Sequence, residues 1–268
     1  MTNRAVPLFL IPSFFVSVHA LATEHEEHQG PVSVDAEVGA LLTNGNTQSS
    51  AFKGKVDINH ELKHWRNEYI VEGLYKRDEV TVGDGDDAYK EDQVTAEKYF
   101  FSAQTDYKLN SEYQGVFGYV SYEENKFSGY KYQATAAFGY SDRAFEKQNQ
   151  HLDYSVGPGM SMAETEPSED EDGVYVPADK QDAVILRVSA KYVYRFNPNT
   201  KFTQSLSSDI AFGDEDNTRT KSETAITAAL NGSFAIKTSF KYEHNSVVSD
   251  EDIEQTDTQT AVTFVYTY

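Results

Sequence analysis

Cysteine is absent from all 268 residues, which excludes disulfides, thiolate metal sites and a cysteine nucleophile. Positive charge is also scarce: 23 Lys and Arg stand against 43 Asp and Glu, a net charge of −20. Nucleic-acid partners reward clustered Lys and Arg, so none is expected for a polyanion of pI about 4.6. Beyond residue 18 no apolar run approaches the roughly 20 residues a spanning helix needs. Trp and Met number only 1 and 3. What the chain does have is 18 Tyr and 16 Phe, in a sequence whose mean hydropathy is −0.59. Aromatic-rich, glycine-containing and polar is a composition of half-buried strands.

Residues 1–22 stand apart. Arg4 is the sole charge before Glu24, the apolar run AVPLFLIPSFFVSV covers 5–18, and Ala20-Leu21-Ala22 closes the stretch. This is the anatomy of a secretory signal peptide cut after Ala22, and Pro7 and Pro12 disfavour a membrane anchor. A short free N-terminus, 23–31, is expected to precede the folded domain at 32–268. Export without cysteine points to a bacterial envelope.

Reading in steps of two separates an envelope-soluble protein from a membrane barrel. In 183–196, Val184, Leu186, Val188, Ala190, Tyr192, Tyr194 and Phe196 alternate with Arg187, Ser189, Lys191 and Arg195. In 51–63, Phe52, Val56, Ile58 and Leu62 alternate with Lys53, Lys55, Asp57 and Glu61. Twelve such segments lie near 32–43, 50–64, 67–78, 94–109, 112–124, 129–144, 150–163, 183–197, 200–212, 219–230, 233–246 and 257–268. Each reaches the 9–11 residues a tilted transmembrane strand requires, whereas soluble strands average about 5–6. The fold expected is therefore all-β: one antiparallel transmembrane barrel of about twelve strands, with both termini periplasmic.

The connections agree. Every second one is short and rich in turn residues, among them Asn197-Pro198-Asn199-Thr200 and Asn231-Gly232, the latter read as a two-residue hairpin. The alternate set holds the long connections 79–93, 164–182, 213–218 and 247–256. Asp78–Gln93, Glu164–Asp182, Gly213–Asn217 and Val247–Asp257 contain 23 acids and only the bases Lys90 and Lys180, a net −21. The whole negative excess thus sits at one end. Finally, Val262, Phe264, Tyr266 and Tyr268 form an apolar alternate row ending on an aromatic, similar to the C-terminal assembly signal of outer-membrane barrels.

Gly39 to Thr47 (GALLTNGNT), Lys63-His64-Trp65-Arg66-Asn67, Asn125-Lys126-Phe127-Ser128-Gly129-Tyr130 and Gly157-Pro158-Gly159 carry a family resemblance. With these motifs the chain resembles, over essentially the whole mature length, the YdiY-like outer-membrane proteins, domain-of-unknown-function family 481, labelled salt-induced outer membrane proteins. The resemblance implies an outer-membrane location and no defined activity.

Candidate sites divide into bland and informative. Thr43–Thr47 reads as a tight turn, and Gly157-Pro158-Gly159 as a bulge or kink. Glu24-His25-Glu26-Glu27-His28 has metal-ligating composition but lies in the free N-terminus. GDGDDAYKED at 83–92 lacks EF-hand spacing, so only loose divalent cations are expected at the acidic loops. His244 and Ser246 share a strand face without an orienting partner, a thin basis for an outer-membrane lipid hydrolase. Neither a metal site, a cofactor nor catalysis is expected. Inward positions are assigned to Lys53, Lys55, Asp57, Glu61, Glu72, Lys98, Asp106, Lys131, Arg187, Lys191, Arg195, Asp209, Lys237 and Lys241. Asp35, Glu37, Asp153 and Glu243 are assigned to the same wall. This set either lines a narrow water-filled channel, the favoured reading, or pairs into a plug. The function expected is a non-enzymatic barrel passing small solutes or ions, the alternative a periplasmic ligand-binding barrel. Outer-membrane lipid, lipopolysaccharide and the barrel-assembly machinery are the expected partners.

Overall fold

A computed structural model describes residues 32–43, 49–82, 89–126, 128–169, 175–213, 217–248 and 254–268. The signal-peptide reading, the 24–28 cluster and most of the Thr43–Thr47 turn lie outside them. Alternation organises everything that follows: strand side chains point to opposite faces, and here the polar face is enclosed. Among the described residues, the buried set holds twenty polar or charged side chains and nine apolar ones. Val38, Phe52, Val71, Phe138, Val184, Val262 and Phe264 are exposed on the outer face. This is the reverse of a water-soluble domain.

The first seven strands are β1 (Val32–Thr43), β2 (Ser49–Glu61), β3 (Trp65–Val82), β4 (Tyr89–Lys108), β5 (Gly115–Asn125), β6 (Tyr130–Lys147) and β7 (Gln150–Thr165). A small two-stranded hairpin follows, β8 (Ser168–Glu169) with β9 (Tyr175–Val176). Then come β10 (Lys180–Asn197), β11 (Thr200–Ala211), β12 (Arg219–Ala229), β13 (Phe234–Asn245) and β14 (Thr256–Thr267). Without β8 and β9 these form one closed barrel of twelve antiparallel strands, each beside its neighbours in sequence, closed by β1 against β14. Residues 62–64, 109–114, 148–149, 198–199 and 230–233 make the short turns at one end, called here the turn end. The other connections, which include the longest, lie at the opposite or hairpin end.

All twelve barrel strands match the alternating segments, but several details differ from the sequence reading. β3 and β4 run well into the acidic stretch, pairing as far as Val82↔Tyr89, so 79–82 and 89–93 are strand rather than loop. Lys90 Nζ lies 2.5 Å from Glu79 Oε1 and Lys76 Nζ 2.6 Å from Asp78 Oδ2, so part of that acidity is paired along the hairpin. Asn231-Gly232 is not a two-residue turn. Leu230 N–H reaches Phe234 O across four residues, while Asn231 Oδ1 accepts from the Ser233 and Phe234 N–H groups. Gly129, with φ 74°, is the positive-φ residue found among the described residues, in the turn before β6.

Gly157-Pro158-Gly159 is not a bulge either. Register is unbroken from Ala137↔Gly159 to Tyr140↔Val156. Between those pairs Gly139 lies against Gly157 so closely that a Cβ on Gly157 would overlap the Phe138 carbonyl oxygen, and one on Gly139 that of Val156. Two opposed glycines let the strands close up where Pro158 removes a donor.

The closing seam is the shortest ladder of the barrel. β1 and β14 pair in register at Asp35↔Thr267 through Val38↔Phe264, with Val34 and Tyr268 exchanging backbone hydrogen bonds of 2.9 Å.

Gly157→Val is expected to cost about 1–3 kcal/mol by forcing β6 and β7 apart. Urea unfolding followed by heat-modifiable gel migration measures the loss. Gly54→Ala is the control, because its Cβ would meet Phe52 at an ordinary 3.7 Å.

Candidate functional site: a cross-braced, charged lumen

Inward residues of the strands meet across the barrel. Lys98 Nζ lies 2.5 Å from Glu243 Oε2 and 3.4 Å from Glu123 Oε1. β4 and β13 are five strands apart around the ring, so the Lys98–Glu243 pair spans nearly the full width of the lumen. Glu123 also takes the Lys221 ammonium and, at 3.7 Å, the Arg219 guanidinium from β12, again five strands from β5. Lys241 sits 2.6 Å from Glu72 Oε1 and 3.9 Å from Glu243 Oε1. Three carboxylates and four cations thereby form one continuous brace in the middle and hairpin half. Glu123, Glu243, Lys98, Lys221 and Lys241 each meet two or more opposite charges, which offsets the cost of taking them out of water; removing one partner strands the rest.

Smaller clusters continue the pattern. Arg187 pairs with Asp209 at 2.6 Å and lies 3.5 Å over the Tyr119 ring, while Thr135 donates to Asp209 at 3.0 Å. Lys237 bridges Glu37 at 2.9 Å and Glu223 at 2.7 Å. Asp106 accepts from the Ser141 hydroxyl and has Arg66 at 3.6 Å. Lys53 reaches across Gly39 of β1 to Gln259 on β14 at 3.4 Å. Toward the turn end the braces thin out and a cavity of about 510 Å³ remains. Its walls include Ser189, Thr203, Ser205, Gln104 and the Lys191–Glu68 pair, 3.1 Å apart on strands β10 and β3.

Most of the expected inward set is inside: Lys53, Lys55, Asp57, Glu72, Lys98, Asp106, Arg187, Lys191, Arg195, Asp209, Lys237 and Lys241. Glu61 stands at the turn-end rim, exposed and paired with Lys108. Lys131 does not line the lumen. A register shift between Tyr130 and Tyr132 inserts one residue, so Tyr130 turns inward, 1% exposed, with its hydroxyl donating to Val247 O. Lys131 is left outside, 3.0 Å from Glu164. Sequence alternation missed Glu68, Glu123, Lys201, Arg219, Lys221 and Glu223. In 219–224 the outward partners Thr220, Ser222 and Thr224 are polar too, so only the charge at every second position marked the inner face. At Glu123-Glu124 adjacent acids hid the period.

The C-terminal row lies on the outer face: Val262 and Phe264 are more than 60% exposed, and Tyr266 packs against Phe234 with ring centroids 5.2 Å apart. Trp65 stands edge-on to Tyr107 at 5.0 Å at the turn end, where Phe145, Tyr192 and Phe202 continue an aromatic band. Tyr122 and Tyr132 stack near the hairpin end. His244 Nδ1 is 2.9 Å from Thr256 Oγ1, and Ser246 Oγ accepts from the Thr218 N–H; the two are not hydrogen-bonded to one another. Among the described residues no three metal-ligating side chains cluster.

With the barrel and its lumen described, the family model "Protein of unknown function, DUF481" matches residues 36–268. The chain belongs to this family. A relative, "Uncharacterized protein YdiY" of Escherichia coli strain K12, is 23% identical over 250 residues, covering 93% of this chain and 88% of that protein. Among solved structures, the translocator domain of the autotransporter NalP from Neisseria meningitidis is similar at TM-score 0.50 and 10% identity over 90% of each chain. An outer membrane channel from Pseudomonas putida F1 aligns at TM-score 0.46 and 10% identity, over 88% of this chain and 94% of that one. The segments on which the resemblance rests now have places. Trp65 opens β3, Gly129 takes its positive φ just before β6, and Gly157–Gly159 is where β7 closes up on β6.

Glu123→Gln is expected to destabilise the barrel by about 3–5 kcal/mol, because Lys98, Lys221 and Arg219 lose their shared counter-charge in a buried layer. Glu124→Gln, on the outer face beside the Tyr122 hydroxyl, should change little. Urea midpoints of the two variants check this.

Proposed function

We propose that the protein spans the outer membrane of a Gram-negative bacterium and acts without catalysis as a narrow passage for small ions or solutes. The observation that carries the reading is the inverted polarity of a closed barrel. Charge is enclosed, apolar side chains face out, and aromatic bands flank them, as a lipid setting requires. In this orientation the turn end and both termini face the periplasm, and the acidic hairpins face outward toward lipopolysaccharide, where they loosely hold divalent cations. The cross-lumen brace sets the narrowest point, and the cavity toward the turn end is its vestibule. Cell fractionation separates this reading from a periplasmic ligand-binding barrel, since only a membrane barrel fractionates with the outer membrane in heat-modifiable form.

In planar bilayers the purified protein should give small conductance steps with a cation preference strongest at low salt, because acidic loops concentrate cations within a screening length of ~8–10 Å. The double variant Lys98→Ala/Glu243→Ala, lacking the widest brace, should conduct several-fold more. Correctly folded protein that leaves the bilayer silent in both forms sinks the passage and leaves a sealed structural barrel.

The Val262, Phe264, Tyr266 and Tyr268 row is proposed as the signal read by the barrel-assembly machinery. Its last strand also supplies the closing ladder to β1. Deleting residues 266–268 should reduce outer-membrane levels to a small fraction of wild type, with degraded protein in the periplasm. Normal membrane levels of the truncated chain count against the assignment.

A further inference from the structure

Two like-charge pairs occupy the walls of the turn-end cavity. Arg195 on β10 and Lys201 on β11 are direct cross-strand partners on the inner face, and both line the cavity. Among the described residues neither makes an ion pair or a side-chain hydrogen bond. Asp35 on β1 and Asp57 on β2 are likewise direct partners lining the same cavity. Asp35 accepts from the Thr267 hydroxyl at 2.6 Å, and Asp57 accepts from the Asn59 amide at 2.9 Å with Lys55 at 3.9 Å. The β10–β11 and β1–β2 walls lie on nearly opposite sides of the ring. Like charges placed directly opposite in a ladder destabilise it. The brace above the cavity shows that this lumen otherwise sets cations against carboxylates.

The two like-charge pairs thus put positive charge on the β10–β11 side and negative charge on the β1–β2 side of a cavity of about 510 Å³, whose other charges include the Lys191–Glu68 pair and Lys55 beside Asp57. The volume is within the ~300–1,000 Å³ range of small-molecule sites. A simple anion relieves one wall only. A molecule carrying both charges relieves both.

We propose that this cavity binds a small zwitterion, its anionic group against Arg195 and Lys201 and its cationic group against Asp35 and Asp57. The inference rests on the passage reading for access and names the solute class; binding itself does not require conduction.

Calorimetric titration of the full-length, membrane-purified protein in detergent tests it. Triglycine, whose charged ends span roughly 10 Å when extended at ~3.3–3.6 Å per residue, is the probe. N-acetyltriglycine and triglycinamide carry one charge each. Triglycine is expected to bind at least tenfold tighter than either analogue. The advantage should vanish in Arg195→Gln/Lys201→Gln and in Asp35→Asn/Asp57→Asn. Arg195→Gln/Lys201→Gln relieves a repulsion and breaks no ion pair, so its ligand-free unfolding temperature should rise. Asp35→Asn/Asp57→Asn also removes the Lys55 contact, so its retained heat-modifiable migration is the check that misfolding does not imitate lost binding. Equal affinity for triglycine and N-acetyltriglycine overturns the proposal in favour of a plain anion site. A triglycine preference that survives both wall variants, or no triglycine binding to folded protein, overturns it outright. Binding by a protein silent in bilayers removes the passage and keeps the zwitterion site, so the two readings fail separately.

Discussion

Every backbone amide facing an apolar surround must find its partner within the chain, because an unpaired N–H or C=O there costs several kcal/mol. Ring closure satisfies that constraint for all twelve barrel strands at once, and the rest of the molecule follows from it. Closure decides that one face of each strand looks inward, so a polar sequence with mean hydropathy −0.59 can present an apolar exterior. Closure also concentrates demand on one ladder. β1 and β14 come from the two ends of the described chain, and their short seam holds shut what the hairpins build locally.

The enclosed face then poses its own problem. Burying Lys98, Glu123 and Glu243 away from bulk water is costly unless the charges pair, and long side chains from near-opposite strands are what can reach one another across a twelve-stranded ring. The brace is thus both a filling for the lumen and a set of tie-rods between distant strands. Where the braces thin toward the turn end, space remains, and beside pairs such as Lys191–Glu68 some charges meet only their like. Arg195 beside Lys201 and Asp35 beside Asp57 are tolerated repulsions, of the kind that binding sites retain at the expense of stability.

Period-two alternation was strong enough to read all twelve strands and most inward charges, since a side chain's face depends only on parity within an unbroken strand. It failed where parity breaks. The extra residue between Tyr130 and Tyr132 reverses the faces at the start of β6 and expels Lys131, and nothing in Gly129-Tyr130-Lys131-Tyr132 announces it. It was silent where both faces are polar, as in 219–224, and where Glu123 and Glu124 adjoin. Turn chemistry misled at Asn231-Gly232, whose familiar hairpin signal is overridden by the Asn231 side chain capping Ser233 and Phe234.

The sequence by itself determined the strand count, the side of the barrel most residues face, the single acidic end and the family, because these depend on local period, composition and motif. Which inward charges meet was decided only by tertiary structure. Lys98 and Glu243 are 145 residues apart, and Lys237 and Glu37 200 apart; their pairing depends on the stagger and tilt of a closed ring, which no local pattern encodes. The division of the lumen into a braced layer and an open, polarised cavity follows from that same stagger. The sequence supplies the charges, and the closed ring sets which of them lie within reach.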